Sequence, residues 1–71
     1  MQVRFIAKDP ESQTGQSPTL FATDRTDRKT YVVQGWVVND PEALAGVGEV
    51  PPGEAIIEIP ADLLRFVEEQ R

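Results

Sequence analysis

Carboxylates are the most abundant groups in this chain with chemistry to offer. There are twelve Asp and Glu among 71 residues, beside Lys8, Lys29, Tyr31, Ser12 and Ser17. Histidine and cysteine are absent. Without them there is no thiolate nucleophile, no imidazole base, no disulfide, no histidine zinc site and no histidine pH switch. Two carboxylates flanking a bond can share acid–base work. Here, however, the acidic residues fall at strand faces, caps and helix ends, where solvation already explains them. No Gly-x-Ser-x-Gly elbow and no Gly-x-x-x-x-Gly-Lys phosphate loop occurs. The residues therefore predict a protein that is not an enzyme and carries no cofactor.

A calcium loop places oxygen ligands at alternate positions, with glycine at the sixth and glutamate at the twelfth. The stretch from Asp9 to Gly15 has oxygen-bearing side chains at Asp9, Glu11 and Gln13. Its sixth position is Thr14 and its twelfth is Leu20. No metal site is expected. Asp9, Ser12 and Ser17 read instead as residues that hold the loop's own backbone.

Charge is the next guide. Seven Lys and Arg against twelve Asp and Glu give a net charge of −5. Residues 1–35 carry Arg4, Lys8, Arg25, Arg28 and Lys29 against Asp9, Glu11, Asp24 and Asp27, a net +1. Residues 36–71 carry Arg65 and Arg71 against eight acidic residues, a net −6. An acidic half repels phosphate backbones and favours basic partners. Nucleic acid is accordingly not expected as a ligand. Arg25, Arg28 and Lys29 form a basic cluster, but Asp24 and Asp27 interleave with it. The amino terminus has no basic segment followed by an apolar one, and no apolar run is long enough to cross a bilayer. The expectation is a cytoplasmic protein with no membrane partner.

The elements that must position these groups can be read from periodicity. Residues 2–8 alternate as a strand, and Asp9-Pro10 ends it. Residues 9–18 form a polar loop. Residues 19–23 read as a short second strand, joined by the charged turn 24–28 to a third strand over residues 29–39. That third strand is rich in β-branched and aromatic residues. It is apolar on both faces, with Tyr31, Val33 and Val37 on one side and Val32, Trp36 and Val38 on the other. Gly35 is the natural position for a bulge or a close approach. Asp40 (N-cap), Pro41, Glu42 and Gly46 (after the last turn) outline a short helix pinned by Leu44. A fourth strand follows over residues 54–59. Pro60 then opens a C-terminal helix with Leu63, Leu64, Phe66 and Val67 on one apolar face, and a last turn at Glu68 and Glu69 that should fray. The result is one small α+β domain over residues 1–71. Its expected form is an antiparallel sheet of about four strands, in the order β-β-β-α-β-α, packed by the C-terminal helix.

Trp36 has two readings. It is either covered by the 9–18 loop, as part of a second small core, or exposed as an anchor for a partner.

The stretch Ile56-Ile57-Glu58-Ile59-Pro60-Ala61-Asp62-Leu63-Leu64 resembles the Val-x-Ile-Pro-x-x-Leu segment of swapped-hairpin transition-state regulators. That resemblance implies a homodimeric DNA-binding domain, and it supplies the alternative reading. A broader pattern spans nearly the whole chain. It comprises Phe5-x-x-Lys8-Asp9-Pro10-x-Ser12, Gly15-x-Ser17-Pro18-Thr19, Tyr31-Val32-Val33-Gln34-Gly35-Trp36-x-Val38-x-Asp40-Pro41-Glu42-Ala43-Leu44 and Ile59-Pro60. This pattern resembles a family of short uncharacterised actinobacterial proteins, commonly encoded beside helix-turn-helix regulators. It assigns no catalytic residue. It implies an accessory or antagonist of a regulator. It also directs attention to the 8–18 loop and the 34–41 stretch as one partner-binding surface, with Lys8, Asp9, Ser12, Ser17, Gln34, Trp36, Asp40 and Glu42 as its candidate residues. The leading expectation is a small acidic interaction module acting through a protein partner. Homodimerisation is a further expectation, because a sheet edge and a thin core both invite pairing.

Overall fold

A computed structural model of the chain describes residues 1–11 and 18–68. Five strands, β1 (Val3–Lys8), β2 (Thr19–Thr23), β3 (Tyr31–Gln34), β4 (Trp36–Val37) and β5 (Ile57–Glu58), are joined by a helix α1 (Pro41–Val47). A 3-10 turn (Ala61–Leu64) then leads into a short α2 (Arg65–Glu68). The architecture is α+β, with one three-stranded sheet in the order β1-β2-β3 and a separate two-stranded pair β4-β5. The expected single sheet of about four strands is thus corrected to two sheets.

Gly35 makes the division. The chain from Tyr31 to Val38 runs extended, as its β-branched residues favour. Its first part pairs with β2 and its last part with β5, both antiparallel. Gly35 sits at the changeover, where the β5 strand approaches closely.

Side-chain and backbone hydrogen bonds close the ends of the first sheet. The Asp9 N–H donates to the Pro18 carbonyl at 2.9 Å, and the Asp9 carboxylate accepts from the Glu11 N–H at 3.1 Å. These bonds account for an aspartate that is buried. At the other end the Gln2 N–H donates to the Asp24 carboxylate, and the Asp24 N–H donates to the Gln2 carbonyl. The hydroxyls of Thr23 and Thr30 lie 2.7 Å apart across the base of the charged turn. Between Phe5 and Ala7 the register shifts, leaving Ile6 as the bulged residue.

Asp40 caps α1 as expected, accepting from the Glu42 N–H at 3.1 Å, with Pro41 in the first turn. The helix runs through Gly46. Gly48 ends it instead, at φ 96°, and its N–H donates to the Leu44 carbonyl. This positive φ is one that a residue with a side chain adopts only at a cost. No residue of α1 is buried. After the helix, the Glu54 N–H donates to the Pro51 carbonyl around Pro52 and Gly53. Gly53 has φ 87°, so this is a turn of the kind that needs glycine at its third position. The expected strand over residues 54–59 contracts to β5 alone.

Among the described residues, the buried apolar side chains include Ala7, Pro18, Leu20, Ala22 and Leu63, of which Leu20, Leu63 and Pro18 are the largest that are fully enclosed. Leu20 and Leu63 supply most of the volume, each contributing about 1.5–3 kcal/mol on burial. Leu64, expected beside Leu63 on the apolar face, is 56% exposed. Because Ala61–Leu64 winds as a 3-10 turn, with the Leu63 N–H donating to the Pro60 carbonyl, successive side chains step by a third of a turn. Leu63 and Leu64 therefore cannot both face the core. The expected fraying at Glu69 lies outside the described residues, as does the Glu68 side chain.

Candidate functional site

Beyond Gly35 the strand enters β4, where Trp36 pairs with Glu58 and Val37 with Ile57. The Val38 N–H donates to the Ile56 carbonyl at 3.1 Å and extends this pairing by one step. Directly opposed residues project to the same face of a pair. Trp36 and Glu58 therefore share one face, and Val37 and Ile57 share the other. Trp36 is 50% exposed, and Val37 and Ile57 are also exposed. Of the two readings of Trp36, the covered small core is corrected. Half of the indole side chain is open to solvent.

Asp40 and Glu42 follow within six residues of Trp36, and both are exposed. One Asp40 carboxylate oxygen is held by the Glu42 N–H, which fixes where that charge stands at the start of α1. Together with Glu58, they give the segment an indole with acidic groups around it in sequence and pairing. Aromatic anchors of this kind carry a large share of binding energy at protein interfaces. Carboxylates near them select a partner of opposite charge.

The remaining candidate residues distribute differently. Lys8, Thr19 and Gln34 form one cross-strand row, so Lys8 and Gln34 stand on either side of Thr19. Gln34 is exposed and Lys8 half-buried. This row reaches Trp36 through Gly35 alone, which joins part of the 8–18 region to the 34–41 stretch. Asp9 is buried and serves its own turn, so it is removed from the partner-binding set. Ser12 and Ser17 lie outside the described residues.

Glu58 was not among the residues picked out from sequence. Its signal is the β5 alternation, but only the pairing with Trp36 gives it a role. The exposed Val37 and Ile57 were likewise unmarked, because β-branched residues in a strong strand read as core.

The basic cluster has a different character. Arg25 pairs with Asp27 at 3.7 Å, both well exposed, an arrangement that contributes little. The Lys29 ammonium lies 5.8 Å from the centre of the Tyr31 ring. Arg25, Arg28, Thr30, Tyr31 and Val32 line a groove of about 420 Å³. No group of three or more acidic residues is placed to hold a metal ion among the described residues. No helix among them is long and apolar enough to cross a membrane.

Comparison with known proteins adds no relative to this picture: no protein-family model matches the chain, and neither a curated protein nor a solved structure matches it.

Proposed function

We propose that the chain is a small acidic interaction module, not an enzyme, that docks on a basic protein through Trp36 and the carboxylates of Glu58, Asp40 and Glu42. The observation that carries this reading is the half-exposed Trp36 directly opposite Glu58. An indole left in solvent at the edge of a small apolar pair has surface to bury on a partner. The net −6 of residues 36–71 selects that partner by charge and speeds its capture. A helix-turn-helix regulator, with its basic DNA-binding face, is the partner class that fits, and the module acts as its accessory or antagonist in the cytoplasm.

The test is affinity capture from native lysate at low salt, with Trp36→Ala and Asp40→Ala beside the parent. The reading predicts a basic protein retained by the parent, weakened by Trp36→Ala and released by raised salt. A capture profile that Trp36→Ala leaves unchanged contradicts it. Direct DNA binding is the competing activity, and the acidic half argues against it. A salt-dependent gel shift of duplex DNA by the protein alone would overturn the protein-partner reading.

A further inference from the structure

Five aromatic residues stand in the chain, and four of them are paired within it. The Phe5 and Phe21 rings meet edge to face with centroids 6.3 Å apart. The Lys29 ammonium lies 5.8 Å from the centre of the Tyr31 ring, and the Arg65 guanidinium lies 5.2 Å from that of Phe66. Trp36 is the exception. Among the described residues, no ring and no cation is placed against its indole. Yet indole is the best of the aromatic acceptors for a cation, and half of this one is open to solvent.

The residue opposite adds a charge. Trp36 pairs with Glu58. The Val38 N–H donates to the Ile56 carbonyl two steps along, so by the alternation of an antiparallel ladder Trp36 and Glu58 are a hydrogen-bonded pair. The Cα atoms of such a pair stand about 5.5 Å apart, and its side chains leave from one face. Both residues are exposed. The Glu58 carboxylate has no ion-pair partner among the described residues. Gly35 holds the arrangement, because a Cβ there would stand 2.7 Å from the Glu58 carbonyl oxygen. An aromatic face and a carboxylate are thus set side by side, each without a cation from the described chain.

We infer that the Trp36–Glu58 face receives an arginine side chain of the partner, its guanidinium stacked on the indole and donating to the Glu58 carboxylate. This assignment rests on the partner reading of Trp36 and names the group that the same site takes. Guanidinium is planar, delocalised and weakly hydrated, so it stacks on an aromatic face while its fork of N–H donors meets a carboxylate. The lysine ammonium is compact and more strongly hydrated, and it has no flat face to lay on the indole. An apolar side chain would cover the indole but leave the neighbouring carboxylate without a hydrogen-bond donor, at a cost in affinity.

Charge selects another chain as the source of that arginine. Residues 36–71 carry a net −6, and Arg65, the basic residue described there, lies against Phe66. In the other half Arg25 faces Asp27 and Lys29 faces Tyr31. A second copy of this chain, at −5, meets the acidic half with repulsion. A basic protein is drawn to it instead. Long-range charge brings such a partner to the acidic half, and the Trp36–Glu58 pair fixes one of its side chains at a defined place.

Three end-blocked tripeptides, Gly-Arg-Gly, Gly-Lys-Gly and Gly-citrulline-Gly, test the assignment on the isotope-labelled full chain. Each is added at millimolar concentration and low salt. Citrulline keeps nearly the shape of arginine without its charge. The arginine peptide should shift the Trp36 indole N–H and the Glu58 amide, and should bind at least about threefold more tightly than the other two. Glu58→Gln should weaken its binding by about two- to fivefold, the range of an exposed ion pair. Trp36→Leu, followed at the Glu58 amide, should weaken it by about the same factor. Equal binding of the citrulline or the lysine peptide overturns the assignment, as does unchanged binding to Glu58→Gln. Trp36 and Glu58 signals that the arginine peptide leaves unmoved overturn it too. No captured partner is needed, so the two failures are distinguishable. A partner retained through Trp36 beside an absent arginine response overturns the guanidinium site alone. An arginine response without a captured partner upholds the site and overturns the partner reading.

Discussion

The carbonyl oxygen of Glu58 lies 2.7 Å from the position that a Cβ on Gly35 would take. Ile59 Cγ2 lies equally close to that point. Real side chains do not approach so near. The glycine is therefore what lets β5 settle against the strand beside Trp36. Gly35→Ala should push β5 away and destabilise the protein by about 1–3 kcal/mol, the usual cost of overpacking. Urea unfolding gives the size of the effect, and hydrogen exchange at the Val38 amide shows its place. Unchanged protection of that amide would mean that Gly35 is not the seat of the approach.

Leu63 and Leu64 are adjacent and chemically identical, yet the first is 0% and the second 56% exposed. Leu63→Ala should cost about 2–5 kcal/mol. Leu64→Ala should stay within ~0.5 kcal/mol, as surface substitutions do. Chemical denaturation of both variants checks the difference. Equal losses would contradict the burial of Leu63 and the exposure of Leu64.

Asp40 holds the start of a helix that has no buried residue. Asp40→Ala removes a cap worth about 0.5–2 kcal/mol. Because nothing of α1 is locked into the core, the loss should appear locally. The amides of Leu44 and Gly48, which donate to the Asp40 and Leu44 carbonyls, should exchange faster while the global melting temperature barely moves. A large fall in melting temperature would show that α1 is coupled to the core.

Trp36 is the chain's single tryptophan, so its emission reports one site. At 50% exposure, emission should be red-shifted relative to a buried indole and readily quenched by acrylamide. A blue-shifted, quencher-resistant emission would contradict the open anchor.

Much of the fold is legible in the residues. The strand over 19–23, the end of β1 before Asp9-Pro10 and the Asp40-Pro41-Glu42 helix start all follow from local chemistry, and the structure has them. Misreadings arise where local chemistry is degenerate. Residues 29–39 are uniformly good strand formers, and only the choice of partner, β2 or β5, divides them at Gly35. Gly46 and Gly48 both suit a helix end, and the chain uses the later one. Leu63 and Leu64 look alike until the 3-10 geometry separates them. The site shows the same limit. Trp36, Asp40 and Glu42 stand out by type, whereas Glu58 acquires meaning only from the register that sets it opposite Trp36.

That register makes the central claim measurable. With the captured partner in hand, amide and indole chemical shifts of the isotope-labelled chain can be followed as the partner is added. The account predicts the largest changes at the Trp36 indole, Val37, Glu42 and Glu58, diminishing with added salt, while Val3, Phe5 and Val32 stay in place. An unmoved Trp36 indole, with shifts concentrated on the β1–β2–β3 face, would contradict it.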